Sequence, residues 1–94
     1  MIYAVDIDGT ICIEKPEQWR NYENAIPITK AIDKVNSLFG LDHRIILFTS
    51  RFGEDRMVTE KWLHKHKVRY HKLVMDKLRA DVYIDNAAKR MDEI

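Results

Sequence analysis

Short apolar runs alternate along this chain with segments whose apolar residues recur at the spacing of an α-helix. The apolar runs predict four strands, at residues 2–8, 45–48, 68–74 and 82–84. The helical spacing predicts three helices, at residues 27–40, 54–66 and 87–94. Strands that alternate with helices are typical of an α/β fold with a parallel sheet.

Residues 11–25 follow no clean period and interrupt this alternation. They contain Pro16, charges of both signs, Trp19 and Tyr22. Irregular loops of this length are more often functional than decorative. We predict a short flap here, with room for a small hairpin. Trp19 and Tyr22 are candidates for substrate contact, although packing of the flap against the body would use them equally well.

Composition narrows the class of protein. A chain of 94 residues is long enough for one core, and its net charge of +1 predicts no general attraction to nucleic acid or membranes. Its one cysteine, Cys12, excludes an internal disulfide and fits a reducing cytoplasm. No apolar run approaches the roughly 20 residues of a membrane span, and the N-terminus lacks the basic region of a signal peptide. We therefore expect a cytoplasmic protein.

Polar residues that are out of place in a core stand beside the predicted strands. Asp6 and Asp8 end the first, Thr49 follows the second, Lys77 precedes the fourth and Asp85 follows it. The carboxyl ends of parallel strands meet at one edge of a sheet, where ligands bind in this class of fold. We expect these side chains to converge there.

Two carboxylates two residues apart on a strand point to the same side and repel each other, so they favour a divalent cation such as Mg²⁺. Gly9 allows a sharp turn that brings backbone N–H groups near a ligand. Phosphoryl transfer would use such a set. Asp6 could be the nucleophile and Asp8 the proton shuttle, and Asp85 could complete the metal site. Lys77 would offset the negative charge that builds up between the nucleophile and the phosphate, and Thr49 and Gly9 would hold the phosphate oxygens.

The run Asp6-Ile7-Asp8-Gly9-Thr10, followed in order by Thr49, Lys77 and Asp85, resembles the four-motif signature of the haloacid dehalogenase-like hydrolase superfamily. The resemblance covers nearly the whole chain. It implies that Asp6 is the nucleophile and a metal ligand. It also implies that Asp8 is the general acid/base and binds Mg²⁺ through its backbone carbonyl, and that an aspartate there marks a phosphatase or phosphomutase. The remaining implied roles are phosphate binding for Thr49, charge stabilisation for Lys77 and metal ligation for Asp85.

With this resemblance we expect residues 1–94 to form a single minimal domain. Its architecture would be a Rossmann-like three-layer sandwich with a mainly parallel sheet of about four strands, in the order 4-1-2-3. The flap at 11–25 is too short for a separate cap domain, so the site would be open, and a homodimer could supply a lid. Asn86 stands where the superfamily often has a second acid, and it could orient a metal-bound water. The implied substrate is a small phosphorylated molecule such as a sugar phosphate or a nucleotide.

For several residues the sequence allows two different roles. Ser50 and Arg51 follow Thr49 directly and could bind phosphate, although Arg51 could equally pair with Glu54 or Asp55. Lys72 competes with Lys77 for the role of the charge-stabilising lysine. His64, His66 and His71 are poorly spaced for zinc, because residues two apart on a helix diverge. They belong to a basic stretch, 64–72, that is either a solvated helix end or a contact for a phosphorylated nucleic-acid end.

Two other functions fit some of these residues. A receiver-like phosphoacceptor also needs acids, a threonine and a lysine at strand ends, but there the lysine comes last, whereas here Asp85 follows Lys77. A non-catalytic binding module could keep the fold without the activity, although Asp8 would then have no use as a proton shuttle. We expect a metal-dependent phosphatase ahead of both.

Overall fold

The computed structural model describes residues 1–13 and 21–94. Within these ranges the regular elements are β1 (Ile2–Asp6), β2 (Cys12–Ile13), β3 (Ile26–Pro27), α1 (Thr29–Gly40), β4 (Arg44–Phe48), α2 (Arg56–Lys65) and β5 (Lys72–Val74). Short 3₁₀ turns occupy Tyr22–Asn24, Gly53–Asp55 and Met91–Glu93. The prediction for Trp19 lies outside the described residues.

β1, β4 and β5 form a three-stranded parallel sheet in that order. Asp6 at the end of β1 pairs with Phe48 at the end of β4, and Phe48 pairs in turn with Val74 at the end of β5. The three strands therefore end level with one another, and the residues that follow them meet at one edge. The predicted α/β fold with a parallel sheet is confirmed.

The core lies between this sheet and the two helices. The central strand β4 buries Ile45 and Leu47 completely, while Ile46 and Phe48 are half-buried. This explains its continuous apolar run. α1 buries Ala31, Ile32 and Val35, and α2 buries Thr59, Trp62 and Leu63. Both sets recur at the three- and four-residue spacing that puts side chains on one helix face.

The described ends of the flap are tied to the body. β2 and β3 form a two-residue antiparallel ladder that pairs Cys12 with Pro27, just beyond the end of the flap. The indole N–H of Trp62 on α2 donates a hydrogen bond of 2.9 Å to the carbonyl of Ala25. Tyr22 is buried in the 3₁₀ turn beside α2. The flap is thus anchored where it leaves and rejoins the body.

Some boundaries differ from those predicted. β1 ends at Asp6 rather than Asp8, because the Ile7 carbonyl accepts N–H groups from the next turn and bends the chain. α1 begins at Thr29, because Pro27 is held in β3. β5 begins only at Lys72, after a turn in which Lys67 has a positive φ of 58°.

The structure shows no strand at 82–84 and no α-helix at 87–94, where a fourth strand and a third helix are predicted. Val82 and Ile84 are 71% and 95% exposed and belong to no strand. A strand requires a partner, and this segment instead folds on itself, with the Tyr83 hydroxyl donating to the Leu78 carbonyl. Residues 87–94 contain only one 3₁₀ turn. An eight-residue helix without a packed apolar face does not repay its nucleation cost.

Among the residues that the structure describes, we find no helix long and apolar enough to cross a membrane.

Candidate active site

Asp6 is the last residue of β1, at the edge where the strands end. Its Oδ1 accepts the N–H of Ile7 at 2.8 Å, and its side chain is 36% exposed, so the carboxylate faces solvent on one side. Behind it the chain turns: the carbonyl of Ile7 accepts N–H groups from Thr10, Ile11 and Cys12. Gly9 in this turn has a φ of 79°, which favours glycine.

Lys77 reaches Asp6 from the segment after β5. Its Nζ lies 3.6 Å from Asp6 Oδ2 and rests over the rings of Phe48 and Tyr83, 4.0 and 3.8 Å from their centroids. The backbone fixes its approach, because the Lys77 N–H donates to the carbonyl of Thr49 at 2.9 Å. Of Lys72 and Lys77, the two candidates for the charge-stabilising lysine, Lys77 is the one that lies beside the Asp6 carboxylate. Lys72 is the first residue of β5 and pairs with Ile46, two residues before the end of β4.

Asp8 is held by Arg51 through two parallel hydrogen bonds. Arg51 Nη2 lies 2.8 Å from Asp8 Oδ1, and Arg51 Nε lies 3.0 Å from Asp8 Oδ2. Thr49, completely buried, adds a long contact of 3.5 Å from its hydroxyl to Asp8 Oδ2. The Thr49 hydroxyl also accepts the Arg51 backbone N–H at 3.1 Å. Thr49 and Asp8 are therefore brought together, and the threonine hydroxyl is already bonded within the protein.

Arg51 lies in a buried pocket whose walls come from three elements. Its Nη1 donates to the hydroxyl of Thr59 on α2 at 3.0 Å, and the Tyr22 ring covers its guanidinium with 3.8 Å to the centroid. A weaker contact of 3.7 Å runs to the thiol of Cys12. Burial acts to lower the pKa of Arg51, but the hydrogen bonds and charge of Asp8 outweigh it and raise that pKa overall. Arg51 stays charged.

These contacts link four of the predicted site residues into one connected set. Asp6 pairs with Lys77, Lys77 bonds the backbone of Thr49, and Thr49 contacts Asp8. Ser50, the next residue along, lines a shallow surface pocket with Arg79, Ala80, Asp81 and Tyr83.

Asp85 and Asn86 do not join this set. Both are exposed, and Asp85 Oδ1 accepts the N–H of Ala87 at 2.9 Å in a local turn. This is the turn-forming use of an aspartate side chain. In the described part of the chain, no three His, Cys, Asp or Glu side chains come together as potential metal ligands.

The donor set fits Mg²⁺ in part. Mg²⁺ needs only one or two carboxylates, with waters and substrate oxygens completing its shell. Asp6 meets that need, because its carboxylate is partly open to water. Both oxygens of the Asp8 carboxylate accept bonds from Arg51. Asp8 would therefore contribute through its backbone, as the superfamily resemblance implies.

The basic stretch 64–72 lies away from these residues. Its last residue, Lys72, begins β5 and pairs with Ile46 in the middle of β4, so the stretch leads into β5 from the amino ends of the strands, whereas Asp6 lies at their carboxyl ends. His71 Nδ1 accepts the N–H of Ile45 at 3.0 Å and stacks on Phe39, and His66 packs on Trp62. Burial lowers the pKa of His66, and the charge of Lys65 lowers it further. These histidines have structural partners here.

The bond from Arg51 to Asp8 is the feature that the sequence analysis missed. The expected carboxylate partners were Glu54 and Asp55, which are near in sequence, whereas Asp8 is separated from Arg51 by 43 positions. The available signal was the spacing of Thr49 and Arg51 behind β4. Side chains two residues apart at a strand end point to one side, where Asp8 also lies.

Comparisons with known proteins bear on the fold. No protein-family model and no curated protein matches the sequence. Among solved structures, the chain is similar to a structural-genomics target from Vibrio cholerae, with a TM-score of 0.82 and 24% identity over 98% of this chain and 85% of that one.

Two structures of a Pnkp1/Rnl/Hen1 complex are also similar, and one of them is described as an RNA repair complex. Their TM-scores are 0.71 and 0.69, with 23% and 20% identity over 90% and 98% of this chain. The present chain spans only 30% and 28% of the matched chains in those complexes. At these identities the likeness shows a shared fold.

Proposed function

We propose that this protein is a phosphomonoester hydrolase of the haloacid dehalogenase-like superfamily, acting through an aspartyl-phosphate on Asp6. The observation that supports this most is the connected set at one sheet edge: a partly exposed carboxylate at Asp6, a lysine 3.6 Å from it, and Asp8 beside Thr49. This is a nucleophile, a charge stabiliser and a proton shuttle in one place. A cytoplasmic location and a small capless domain are part of the proposal.

In the first step, Asp6 Oδ2 attacks the phosphorus of a phosphomonoester. A bond forms between that oxygen and phosphorus, and the bond to the ester oxygen breaks. Asp8 gives its proton to the departing ester oxygen, which leaves as an alcohol. Lys77 offsets the negative charge gathered between the Asp6 carboxylate and the phosphoryl group.

In the second step, water attacks the phosphorus of the aspartyl-phosphate. Asp8 takes a proton from that water, inorganic phosphate leaves, and the Asp6 carboxylate is restored. Asp8 thus returns to the protonated form that began the cycle. Phosphate binding by the turn around Gly9 would require its N–H groups to exchange existing bonds, because Gly9 donates to the carbonyl of Cys12 and Thr10 to that of Ile7.

We propose Mg²⁺ as the cofactor, held by the Asp6 carboxylate and the Asp8 backbone carbonyl. When bound, it would neutralise negative charge on the phosphoryl oxygens. The superfamily resemblance adds Asp85 and Asn86 to its surroundings. Their participation would require residues 82–86 to pack beside β1 as a fourth strand, giving the sheet order 4-1-2-3. Magnesium should therefore protect residues 82–86 from backbone hydrogen exchange, which a free C-terminal segment would not show.

A phosphorylated nucleic-acid end is the second candidate substrate. The observation in its favour is the likeness to chains of an RNA repair complex. The basic stretch 64–72 gives it no support, because that stretch leads into β5 from the amino ends of the strands, whereas Asp6 lies at the carboxyl end of β1. A sugar phosphate or nucleotide remains our first proposal.

The test is a panel of phosphorylated sugars, nucleotides and 3′- or 5′-phosphorylated oligonucleotides, assayed with Mg²⁺ and with EDTA. We expect hydrolysis of at least one member, dependent on Mg²⁺, and its loss in Asp6→Asn. Asp33→Asn, at an exposed aspartate on α1, is the matched control and should keep full activity. No metal-dependent hydrolysis in the panel, or an active Asp6→Asn variant, would rule the proposal out.

The intermediate separates this enzyme from a phosphoacceptor. Rapid quenching in acid during turnover, followed by mass spectrometry, should find a phosphoryl group on the peptide that contains Asp6. Rapid loss of that group after substrate is exhausted supports a hydrolase. A long-lived phosphoryl group would indicate a receiver-like protein, and magnesium binding without phosphorylation would indicate a binding module.

A further inference from the structure

The guanidinium of Arg51 uses all three of its nitrogen atoms inside the protein. Nε and Nη2 donate to the two oxygens of Asp8, and Nη1 donates to Thr59 Oγ1. The Tyr22 ring closes one face at 3.8 Å, and the side chain is only 1% exposed. An arginine bound in this way has little left to offer a substrate phosphate.

The same contacts fix the orientation of Asp8. A planar guanidinium that bonds both oxygens of a carboxylate sets the plane of the carboxylate as well as its distance. The Asp8 side chain is 29% exposed, so it reaches solvent while Arg51 anchors it from behind. A carboxylate offers about four lone-pair positions. Beyond the two that Arg51 uses, the contacts from Cys12 Sγ to Oδ1 and from Thr49 Oγ1 to Oδ2 are long, at 3.6 and 3.5 Å, so the carboxylate can still exchange a proton on its solvent side.

We propose that Arg51 is a positioning residue that holds the Asp8 carboxylate for proton transfer and does not itself bind the substrate. This inference rests on the proposed function. Lysine cannot take the role of Arg51, because an ammonium is a single point charge without the planar pair of donors. Charge alone is therefore not enough at position 51.

The experiment compares Arg51→Lys with wild type on two phosphomonoesters that differ in their leaving group. 4-Nitrophenyl phosphate loses its aryl oxide readily without a proton, whereas glycerol 2-phosphate needs one. We expect kcat/KM to fall about 10- to 100-fold for glycerol 2-phosphate and less than about threefold for 4-nitrophenyl phosphate, because general acid catalysis matters only for the first. KM should change little for either substrate.

Arg56→Lys is the matched control. Arg56 is likewise hydrogen-bonded within the protein, donating to the backbone carbonyl of Leu73 at 3.0 Å, but it lies on the first turn of α2 and pairs with Glu60. The same substitution there should leave the ratio of the two kcat/KM values unchanged. If the substitution only disturbed the structure, kcat/KM would fall by the same factor for both substrates.

A second arm places Arg51→Lys in the Asp8→Asn background. If Arg51 acts only through Asp8, the double variant is no slower than Asp8→Asn on glycerol 2-phosphate. If the losses in kcat/KM from the two substitutions multiply in the double variant, Arg51 has a contact with the substrate that is independent of Asp8. Equal losses on both substrates, or a raised KM with unchanged kcat, would also overturn the inference.

If Arg51→Lys does not fold, Thr59→Val serves instead. It removes the acceptor of Arg51 Nη1 while keeping both members of the Arg51–Asp8 pair. We expect a smaller loss with the same preference for the good leaving group, and a uniform loss would contradict the inference. Wild type that hydrolyses neither these two substrates nor any member of the panel defeats the proposed function and this inference together. If the wild type is active and the variant loses the same factor of kcat/KM on both substrates, the inference alone is defeated.

Discussion

Asp8 and Arg51 form a two-bond ion pair across the sheet edge, with one member buried and the other partly in water. The donor–acceptor distances are 2.8 and 3.0 Å, and the side chains are 29% exposed for Asp8 and 1% for Arg51. Removing one member of the pair therefore has a different consequence from removing the other. Without Asp8, a buried cation loses its counter-charge. Without Arg51, the remaining carboxylate still reaches solvent.

We predict that Asp8→Ala destabilises the protein more than Arg51→Met does. Removing Asp8 should cost about 3 kcal/mol, because an unpaired buried charge is strongly penalised. Arg51→Met keeps much of the buried volume and should cost about 1–2 kcal/mol. Urea unfolding followed by circular dichroism measures both free energies. Equal losses, or the reverse order, would show that water reaches Arg51.

An exposed ion pair on α2 provides the comparison for that prediction. Arg56 and Glu60 lie four residues apart, 3.3 Å between Nε and Oε1, with side chains 47% and 49% exposed. Glu60→Gln should therefore change the unfolding free energy by less than about 0.5 kcal/mol. A loss as large as that of Asp8→Ala would mean that burial does not separate the two pairs.

The sequence predicted the parallel sheet well because the signal for β1 and β4 is local. Each is a short apolar run that ends in a polar residue, and burial of the central strand keeps that run continuous. The edge where Asp6, Thr49 and Lys77 meet follows from the parallel arrangement alone. Those placements needed no knowledge of side-chain contacts.

The features that the sequence did not predict are the ones that depend on tertiary contacts. Val82 and Ile84 have strand-forming side chains, but a strand also needs a neighbour, and local sequence does not say whether one is paired. For Arg51, nearby acids in the sequence suggested the wrong partner. Its real partner lies 43 positions away and is reached only because β1 and β4 are neighbours.

We predict that Gly9→Ala costs about 1–2 kcal/mol through backbone strain alone. Gly9 has a φ of 79°, but a Cβ built there meets no other atom within 4 Å. Gly40→Ala is the matched control, because Gly40 lies at the end of α1 and a Cβ there only touches Arg69 at 4.0 Å. Alanine at that helical position should be neutral or stabilising by up to about 1 kcal/mol. Chemical unfolding should show a loss of stability for Gly9→Ala and none for Gly40→Ala, and equal losses would contradict the assigned cause.

We predict that His66 makes stability fall as the pH falls below neutrality. Burial lowers the pKa of His66 in the folded protein, and Lys65 adds to this. The unfolded chain therefore takes up a proton at this residue first, as the pH falls through about 6.5. Stability is complete above that pH and declines toward the lower pKa of the folded state.

The measurement for His66 is urea unfolding at a series of pH values between about 8 and 5. His66→Gln cannot titrate in this range, so its stability should depend on pH less steeply than that of wild type. Lys65→Gln should lessen the wild-type slope by a smaller amount, since repulsion is the lesser cause. A slope that is the same in wild type and His66→Gln would contradict the prediction.

We predict that Lys77→Met impairs catalysis much more than stability. Its Nζ lies 3.6 Å from Asp6 Oδ2, and this partly exposed pair should contribute less than about 1 kcal/mol to folding. Charge on the transferring phosphoryl group would lose its nearest cation, so kcat/KM should fall about 10²-fold. Lys72→Met, at the exposed first residue of β5, two residues before the strand ends, should keep full activity. If both lysine variants slow hydrolysis equally, the effect comes from overall positive charge, and Lys77 has no special position beside Asp6.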